Sequence, residues 1–347
     1  MALTTTWIQE LLSKNTQLDN RIYRASRYGA LDVFRSSNNS PVSILSAENV
    51  AEFQAALGKT MKIPVIDFDG TISIGSSRST TISDAENTSQ YITVSPTTLT
   101  WGFTTFPFAH YNNSIAYEKD LQTKFMKFLN KVLVTVEGLC LTKLNADKTQ
   151  YLADNLGYTF ASDVLTATEA EKEMILADLS VMMNANDYYG KLHLIGNPGV
   201  QSLINQLLKY NKNNDKDLSM EYGDKALHFT NQLANAEGVK ATGYIVEDGS
   251  VGLLTRASME AITGYKSTTG KEFSTWSVPG LGVEAEYYYY SDVVDASAIH
   301  GSGSAHLTRS GKEYHGFAFD LALLTAHVTT RASQASPILK FAIDKNP

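Results

Sequence analysis

Two groups of residues carry side chains whose types could do chemistry. Asp67 and Asp69 stand two apart in Ile66-Asp67-Phe68-Asp69-Gly70-Thr71, where an apolar run ends. His300, His306 and His315 gather with Glu313 late in the chain, residue types that ligate metals. The histidine spacing fits no common ligand pattern. Gly301-Ser302-Gly303-Ser304 marks a flexible loop beside them, so solvated histidines are expected. The same Gly-Ser run lacks the third glycine and the strand-turn-helix setting of a dinucleotide-binding loop. No Gly-x-Ser-x-Gly elbow and no Walker loop occurs. The one cysteine, Cys140, lies in an apolar helical segment, which excludes an intrachain disulfide and predicts a buried structural thiol.

The Asp67-x-Asp69-Gly70-Thr71 run resembles the first motif of the haloacid-dehalogenase superfamily. That resemblance implies a phosphatase in which Asp67 is the nucleophile, Asp69 the general acid and base, and Mg²⁺ sits between carboxylates. Lys266 or Lys271 would clamp the phosphate, and Asp292 and Asp295 would complete the metal site. The motif also requires a Ser or Thr ending a second parallel strand, and alternating βα units; neither is found. A simpler reading needs no missing parts. Asp69-Gly70 suits a type I′ turn, whose central residues take positive φ, between β-rich runs at 62–68 and 71–75. No catalytic, cofactor-binding or metal residue is therefore assigned, and no enzyme activity is expected.

The elements around these residues are long and repetitive rather than catalytic in layout. Residues 87–117 contain no Asp, Glu, Lys or Arg, and much of the stretch alternates Thr with large apolar groups. Leu99, Trp101 and Phe103 share one face of a strand over 98–105, with Thr98, Thr100 and Thr104 on the other. Two extended ribbons joined by the polar tip 76–90 predict a protruding arm that could not be stable alone. A long helix is expected from Ala116 to about Leu144. Leu121, Phe125, Phe128, Leu129, Val132, Leu133, Val136, Leu139, Cys140 and Leu144 recur at three- and four-residue steps, with Lys124, Lys127, Asn130, Lys131 and Glu137 elsewhere.

Further elements are expected on both sides of that helix. Ala47–Leu57 reads as a helix capped by Ser46. Thr168–Asn184 reads as a helix opened by a Thr168/Glu171 capping box. A strand at 192–195 leads through Gly196-Asn197-Pro198-Gly199 into a helix at 200–210. Hairpin-like segments surround Asp248-Gly249. The last third is strand-rich, and a strand over Tyr287–Tyr290 would put two rings inward and two outward, exposed tyrosines suiting an intersubunit contact.

With a net charge of −7 the body is a poor phosphate-gripping surface. Only the first 35 residues lean basic, with Lys14, Arg21, Arg24, Arg27 and Arg35 against Glu10, Asp19 and Asp32. No signal peptide and no membrane-spanning run is visible, so synthesis in a reducing cytoplasm is expected.

In order, the segments Arg27-Tyr28-Gly29-Ala30, Lys62-Ile63-Pro64-Val65, Ser77–Ile82, Glu86–Ser89, Phe108–Tyr117 and Ile195–Gly199 resemble the tailed-phage major capsid proteins of the Hong Kong 97-like fold, closest to phages of Bacteroidetes-type hosts. The resemblance implies an α+β fold. Its parts would be an N-terminal arm (1–60) lacing neighbours and an extended β-ribbon loop (61–107). A peripheral domain with the spine helix (108–186), an axial domain (187–265) and return strands (266–347) would follow. It implies a structural protein of the virion, a homo-oligomer forming pentamers and hexamers of an icosahedral shell. Assembly would take place in the host cytoplasm around double-stranded DNA held by non-specific proximity, with scaffold, portal and decoration proteins as possible partners. No cofactor and no membrane is implied. Some relatives join neighbours covalently through a lysine on the extended loop; here no lysine lies between Lys62 and Lys119, so no such cross-link is expected. An arm starting almost at Met1 implies a scaffold on a separate protein. An encapsulin-type enzyme container has the same fold and is the nearest alternative.

Overall fold

The computed structural model describes residues 28–55, 61–65, 90–107, 114–210, 221–222, 225–278, 281, 283–295, 309–326 and 335–345. These form an α+β fold built on two sheets and one long helix. In chain order the elements are α1 (Gly29–Asn38), α2 (Ala47–Ala55), β1 (Met61–Val65), β2 (Gln90–Val94), β3 (Thr97–Thr105), α3 (Ser114–Ala146), β4 (Thr159–Ala161), β5 (Val164–Ala167), α4 (Lys172–Ala185), β6 (Leu192–Gly196), α5 (Pro198–Tyr210), β7 (Glu221–Tyr222), β8 (Lys225–Phe229), β9 (Val239–Glu247), β10 (Val251–Arg256), α6 (Met259–Ile262), β11 (Glu272–Val278), β12 (Val283–Asp295), β13 (Arg309–Thr325) and β14 (Ile338–Asp344).

The helix α3 runs 33 residues, two longer at each end than its apolar period predicts, and spans about 50 Å at 1.5 Å per residue. Its apolar stripe is buried from Leu121 to Leu144. The N-terminal half lies on the five-stranded antiparallel sheet, in which β13 pairs with β12, β10 and β3, and β12 with β11. There Phe125 meets Trp276 edge-on with ring centroids 5.4 Å apart, and Phe128 stacks on Phe103 at 5.8 Å. The C-terminal half shares a core with Ile195, Tyr244, Val246 and Ile338 of the second sheet. That sheet is seven-stranded and mixed, in the order β4-β5-β14-β9-β6-β8-β7. Its opposite face is covered by α4 and α5 through Ile175, Leu176, Leu179, Val200 and Ile204. One rod thus seats two sheets.

Asn197 shows how local chemistry starts α5. Its Oδ1 accepts from the Gly199 and Val200 N–H groups at 3.0 and 3.2 Å, and Pro198 occupies the first helical position, where no N–H is needed. Ser46 likewise accepts from Asn49 N at 3.1 Å to open α2. At the expected capping box only one arm forms as foreseen. The Glu171 carboxylate accepts from Thr168 N at 2.9 Å, but the Thr168 hydroxyl donates to that carboxylate instead of capping, and α4 starts at Lys172.

Several expectations are corrected. β9 and β10 do not form a hairpin about Asp248-Gly249; β9 lies between β14 and β6 in one sheet, and β10 on β13 in the other. Both strands are buried along nearly their whole length, so each needs covered faces and the turn becomes a crossover. β1 pairs with β2, Met61 opposite Val94 and Val65 opposite Gln90; the Asp69-Gly70 turn and the run 71–75 lie outside the described residues. β3, expected in the protruding ribbon, is a strand of the chain's own five-stranded sheet. β4, β5 and α4, grouped by sequence with the spine helix, pack in the seven-stranded layer.

Residues 28–55, read as part of a lacing arm, belong to the chain's own core. Ala30, Val33 and Phe34 of α1 are fully buried. The largest surprise is Glu137, expected on the polar side of α3 and found wholly buried. Its carboxylate accepts from the Ala30 and Leu31 N–H groups at 3.1 and 2.7 Å. It thereby caps α1, whose own N-cap Tyr28 contributes no side-chain bond. Gly29 is required here, because a Cβ would lie 2.8 Å from the Phe229 carbonyl oxygen. Asn38, at the other end of α1, bonds both the N–H and the C=O of Leu253 at 2.9 and 2.7 Å and so clips α1 to β10. Replacing Glu137 by Ala should lower the free energy of unfolding by about 2–4 kcal/mol, since two buried N–H groups lose a charged acceptor. Glu137→Gln, which keeps one acceptor oxygen, should lose about half as much. Urea unfolding of the two variants checks this, and equal losses would contradict the capping role.

Candidate assembly surface

Strand register sorts the five-stranded sheet into two faces. Trp101, Phe103, Trp276, Tyr287, Phe317 and Phe319 point to α3. On the opposite face lie Phe273, Tyr288, Tyr290 and Tyr314, each half-buried, with the Tyr265 ring 6.3 Å from Phe273. The expected alternation within Tyr287–Tyr290 is observed: Tyr287 is buried toward α3, and Tyr288 and Tyr290 lie half-buried on the opposite face. Tyr290 stacks on its cross-strand partner Tyr314 with centroids 4.4 Å apart and planes 4° apart, and Tyr288 contacts Phe273 at 6.0 Å. Tyr288 lies flat over Gly316, where a Cβ would come within 1.9 Å of its ring. Lys312 stands 4.7 Å from the Tyr314 ring and 5.7 Å from the Phe106 ring, and Lys271 stands 5.2 Å from Tyr290. These aromatic rings with ammonium groups over their faces make a flat, semi-polar surface of the kind interfaces use.

The hairpin β12–β13 runs past the rest of its sheet. β11 ends its pairing at Tyr289 and β3 at Glu313, whereas β12 and β13 continue together to Asp295 opposite Arg309. Four further pairs, Asp292–Asp295 against Arg309–Lys312, form a two-stranded tongue with no third strand among the described residues. Val293 on it is 64% exposed. A two-stranded ribbon is marginal in water, and bare strand edges invite another chain. The β1–β2 ribbon is a second such piece, rooted on the body through Met61, Ile63 and Val94 against Leu45, Phe53, Leu254 and Leu324.

Among the described residues, those with candidate chemistry do not converge. Asp67, Asp69, His300 and His306 lie outside the described residues. β1, which leads into Asp67, belongs to a two-stranded antiparallel sheet, not to the parallel βα array that the phosphatase reading needs. Lys266 is exposed and paired with Glu272 at 2.9 Å, while Lys271 covers Tyr290. Asp292 and Asp295 are on the tongue, in register with Lys312 and Arg309. Among the described residues no group of three or more His, Cys, Asp or Glu could hold a metal ion. No helix there is long and apolar enough to cross a membrane. Tyr314, Phe273 and Lys312 were not singled out from sequence, because only the register of three strands brings them beside Tyr288 and Tyr290.

Glu313 and His315 face the helix side instead. Glu313 accepts from the Tyr117 and Tyr289 hydroxyls at 2.5 and 2.9 Å and from Thr105 at 3.3 Å. The first bond and burial push the Tyr117 phenol up to about 12, burial being the larger cause. His315 is 1% exposed; its Nδ1 meets the Tyr287 hydroxyl at 3.0 Å and its Nε2 the Thr105 hydroxyl at 3.3 Å. Burial holds its imidazole down at about 4, well below the ordinary 6.5, so it is neutral in the folded chain. Because the unfolded chain takes up the proton first, this group's contribution is complete above about pH 6.5 and is lost as pH falls toward 4, up to about 3 kcal/mol. Stability curves over that range should slope downward toward acid in the wild type and flatten in His315→Gln; an unchanged slope would contradict the assignment.

No protein-family model matches the chain, and no curated protein matches it. Among solved structures the chain is similar to the capsid of Ralstonia phage GP4, with 9% identity, a TM-score of 0.48 and coverage of 94% of this chain and 93% of that one. It is also similar to a chain of the capsid of cyanophage P-SCSP1u, with 10% identity, a TM-score of 0.45 and coverage of 84% and 85%. A third similarity is to a chain of Mycobacterium phage Che8, with 7% identity, a TM-score of 0.42 and coverage of 86% and 89%.

Proposed function

We propose that this protein is a structural shell subunit of Hong Kong 97-like type, without catalytic role, that assembles with its own copies into the pentamers and hexamers of an icosahedral tailed-phage head around double-stranded DNA. The observation that carries this reading is the tongue of β12–β13, which leaves the body as two strands with nothing in the described chain to complete it. The β1–β2 ribbon and the aromatic face around Tyr288, Tyr290 and Tyr314 add two more surfaces suited to neighbours. In a closed shell each is covered many times over. Modest contacts then act together, because closure makes each later contact nearly intramolecular.

In this reading the five-stranded sheet with α3 is the peripheral domain, and the seven-stranded sheet with α4 and α5 the axial domain. The extended loop is the part of 61–107 before β3, and any arm that laces neighbours lies before Tyr28. Assembly in the host cytoplasm would draw on separate scaffold, portal and decoration proteins, and the leaning toward Bacteroidetes-type hosts rests on the motif resemblance alone. The net charge of −7 suits a wall that holds DNA without adhering to it.

Electron microscopy of the purified protein, with its scaffold where one is needed, should show closed icosahedral particles; a monodisperse monomer under all assembly conditions would overturn the proposal. Val293→Glu places a charge on the exposed tongue. It should leave the subunit's free energy of unfolding unchanged to within about 0.5 kcal/mol and reduce particle yield severely. Particles boiled in denaturant should run at the mass of one chain, since the loop offers no lysine between Lys62 and Lys119. A ladder of multimers would contradict the absence of a lysine cross-link.

A further inference from the structure

Four titratable side chains form a continuous relay where α1 meets the seven-stranded sheet. Asp32 on α1 accepts at Oδ2 from His228 Nδ1 at 2.9 Å. His228 Nε2 meets His193 Nδ1 at 3.0 Å, and His193 Nε2 meets Asp248 Oδ1 at 3.0 Å. The other Asp248 oxygen accepts from the Ser40 hydroxyl at 2.9 Å. His193 and His228 are largely buried, while Asp32 is the end open to solvent.

Counting protons decides what state this geometry needs. Three hydrogen bonds require three protons. Ionised carboxylates supply none, and a neutral imidazole supplies one. Two neutral histidines therefore fill two bonds and leave the third contact, whether between the two imidazoles or to a carboxylate, as a pair of facing lone pairs at about 3 Å, which is repulsive. One added proton on the imidazole pair completes all three bonds. Asp32 is not its seat, since the bond to His228 holds that carboxyl below the ordinary carboxylate range. Burial holds the His193 imidazole below its ordinary value although Asp248 opposes this, so it is the hydrogen-bond count, and not either imidazole alone, that calls for the added proton.

We infer that the Asp32–His228–His193–Asp248 relay holds one proton beyond two neutral imidazoles, and that this proton latches α1 to the sheet in a pH-sensitive way. The other charges facing the relay are Arg35 on α1 beside Asp32, Lys191 ahead of β6, Glu137 on α3 and Glu247 next to Asp248. The positive charge that the latch adds is flanked by two carboxylates and replaces a lone-pair clash. As pH rises through its titration the proton leaves, one bond is lost, and α1 loosens together with its Glu137 cap and its Asn38 clip.

The test uses the whole chain. Nitrogen-15 spectra of the histidine side chains at neutral pH should show three N–H protons shared by His193 and His228, with one released in a single step on raising the pH. Two neutral imidazoles at neutral pH would overturn the inference. Amide exchange of residues 30–37 should accelerate about tenfold beyond the intrinsic rise for each pH unit between the ordinary imidazole value of about 6.5 and that step, and show no further added rise above it. Asp32→Asn supplies the third proton from its own amide, so this variant should fold, keep both histidines neutral and lose the added acceleration. Retention of the wild-type profile in Asp32→Asn would equally overturn the inference.

Discussion

The fold depends on one constraint: α3 must bury a stripe about 35 Å long, from Leu121 to Leu144, and the two sheets share it. The Phe125 end is satisfied by the aromatic layer of the five-stranded sheet, and the Val136–Leu144 end by the back of the seven-stranded sheet. A rod held at both ends fixes the two sheets against each other. The segment after the helix secures the same junction. Asp147 takes a bond from Thr325 and an ion pair from Lys143 at 2.8 Å, and the Ser336 hydroxyl donates to the Asp147 carbonyl at 2.7 Å. The last turn of α3 is therefore tied to the end of β13 and the start of β14. Glu137 then uses the rod to hold α1, so the first described helix is placed by the middle of the spine.

That arrangement leaves a consistent remainder. The side of the five-stranded sheet that faces α3 is full; the other side keeps a row of aromatic rings and two ammonium groups. β12 and β13 outrun their neighbours by four pairs. Among the described residues a ribbon, a tongue and an aromatic face are thereby presented to other molecules, which is the basis of the proposed shell role.

Elements with a strong local period were legible in the sequence. α3 is readable because ten apolar positions recur at helical steps, and β3 because Leu99, Trp101 and Phe103 alternate with threonines. The α5 start is readable because Asn197 and Pro198 have one dominant use at a helix N-terminus. What depends on distant partners was not legible. Asp248-Gly249 looks like any hairpin turn, and only the pairing of β9 and β10 with different sheets makes it a crossover. Glu137 occupies a position that period alone assigns to solvent; nothing near it in sequence reveals that α1 needs a cap. α1 itself, ten residues with three large apolar side chains, reads as a loose arm until α3, β8 and β10 surround it. His193 and His228 sit in apolar strands 35 residues apart, and their meeting is a matter of β6–β8 register.

The central claim is that the tongue and ribbon of one molecule are completed by its neighbours. Hydrogen–deuterium exchange at residues 290–295, 309–312 and 61–65, compared between dilute subunits and assembled particles, tests it most directly. The account predicts rapid exchange in the subunit and strong protection in the particle at these segments, with the α3 core equally protected in both. Full protection of the tongue and ribbon in the isolated subunit would contradict it.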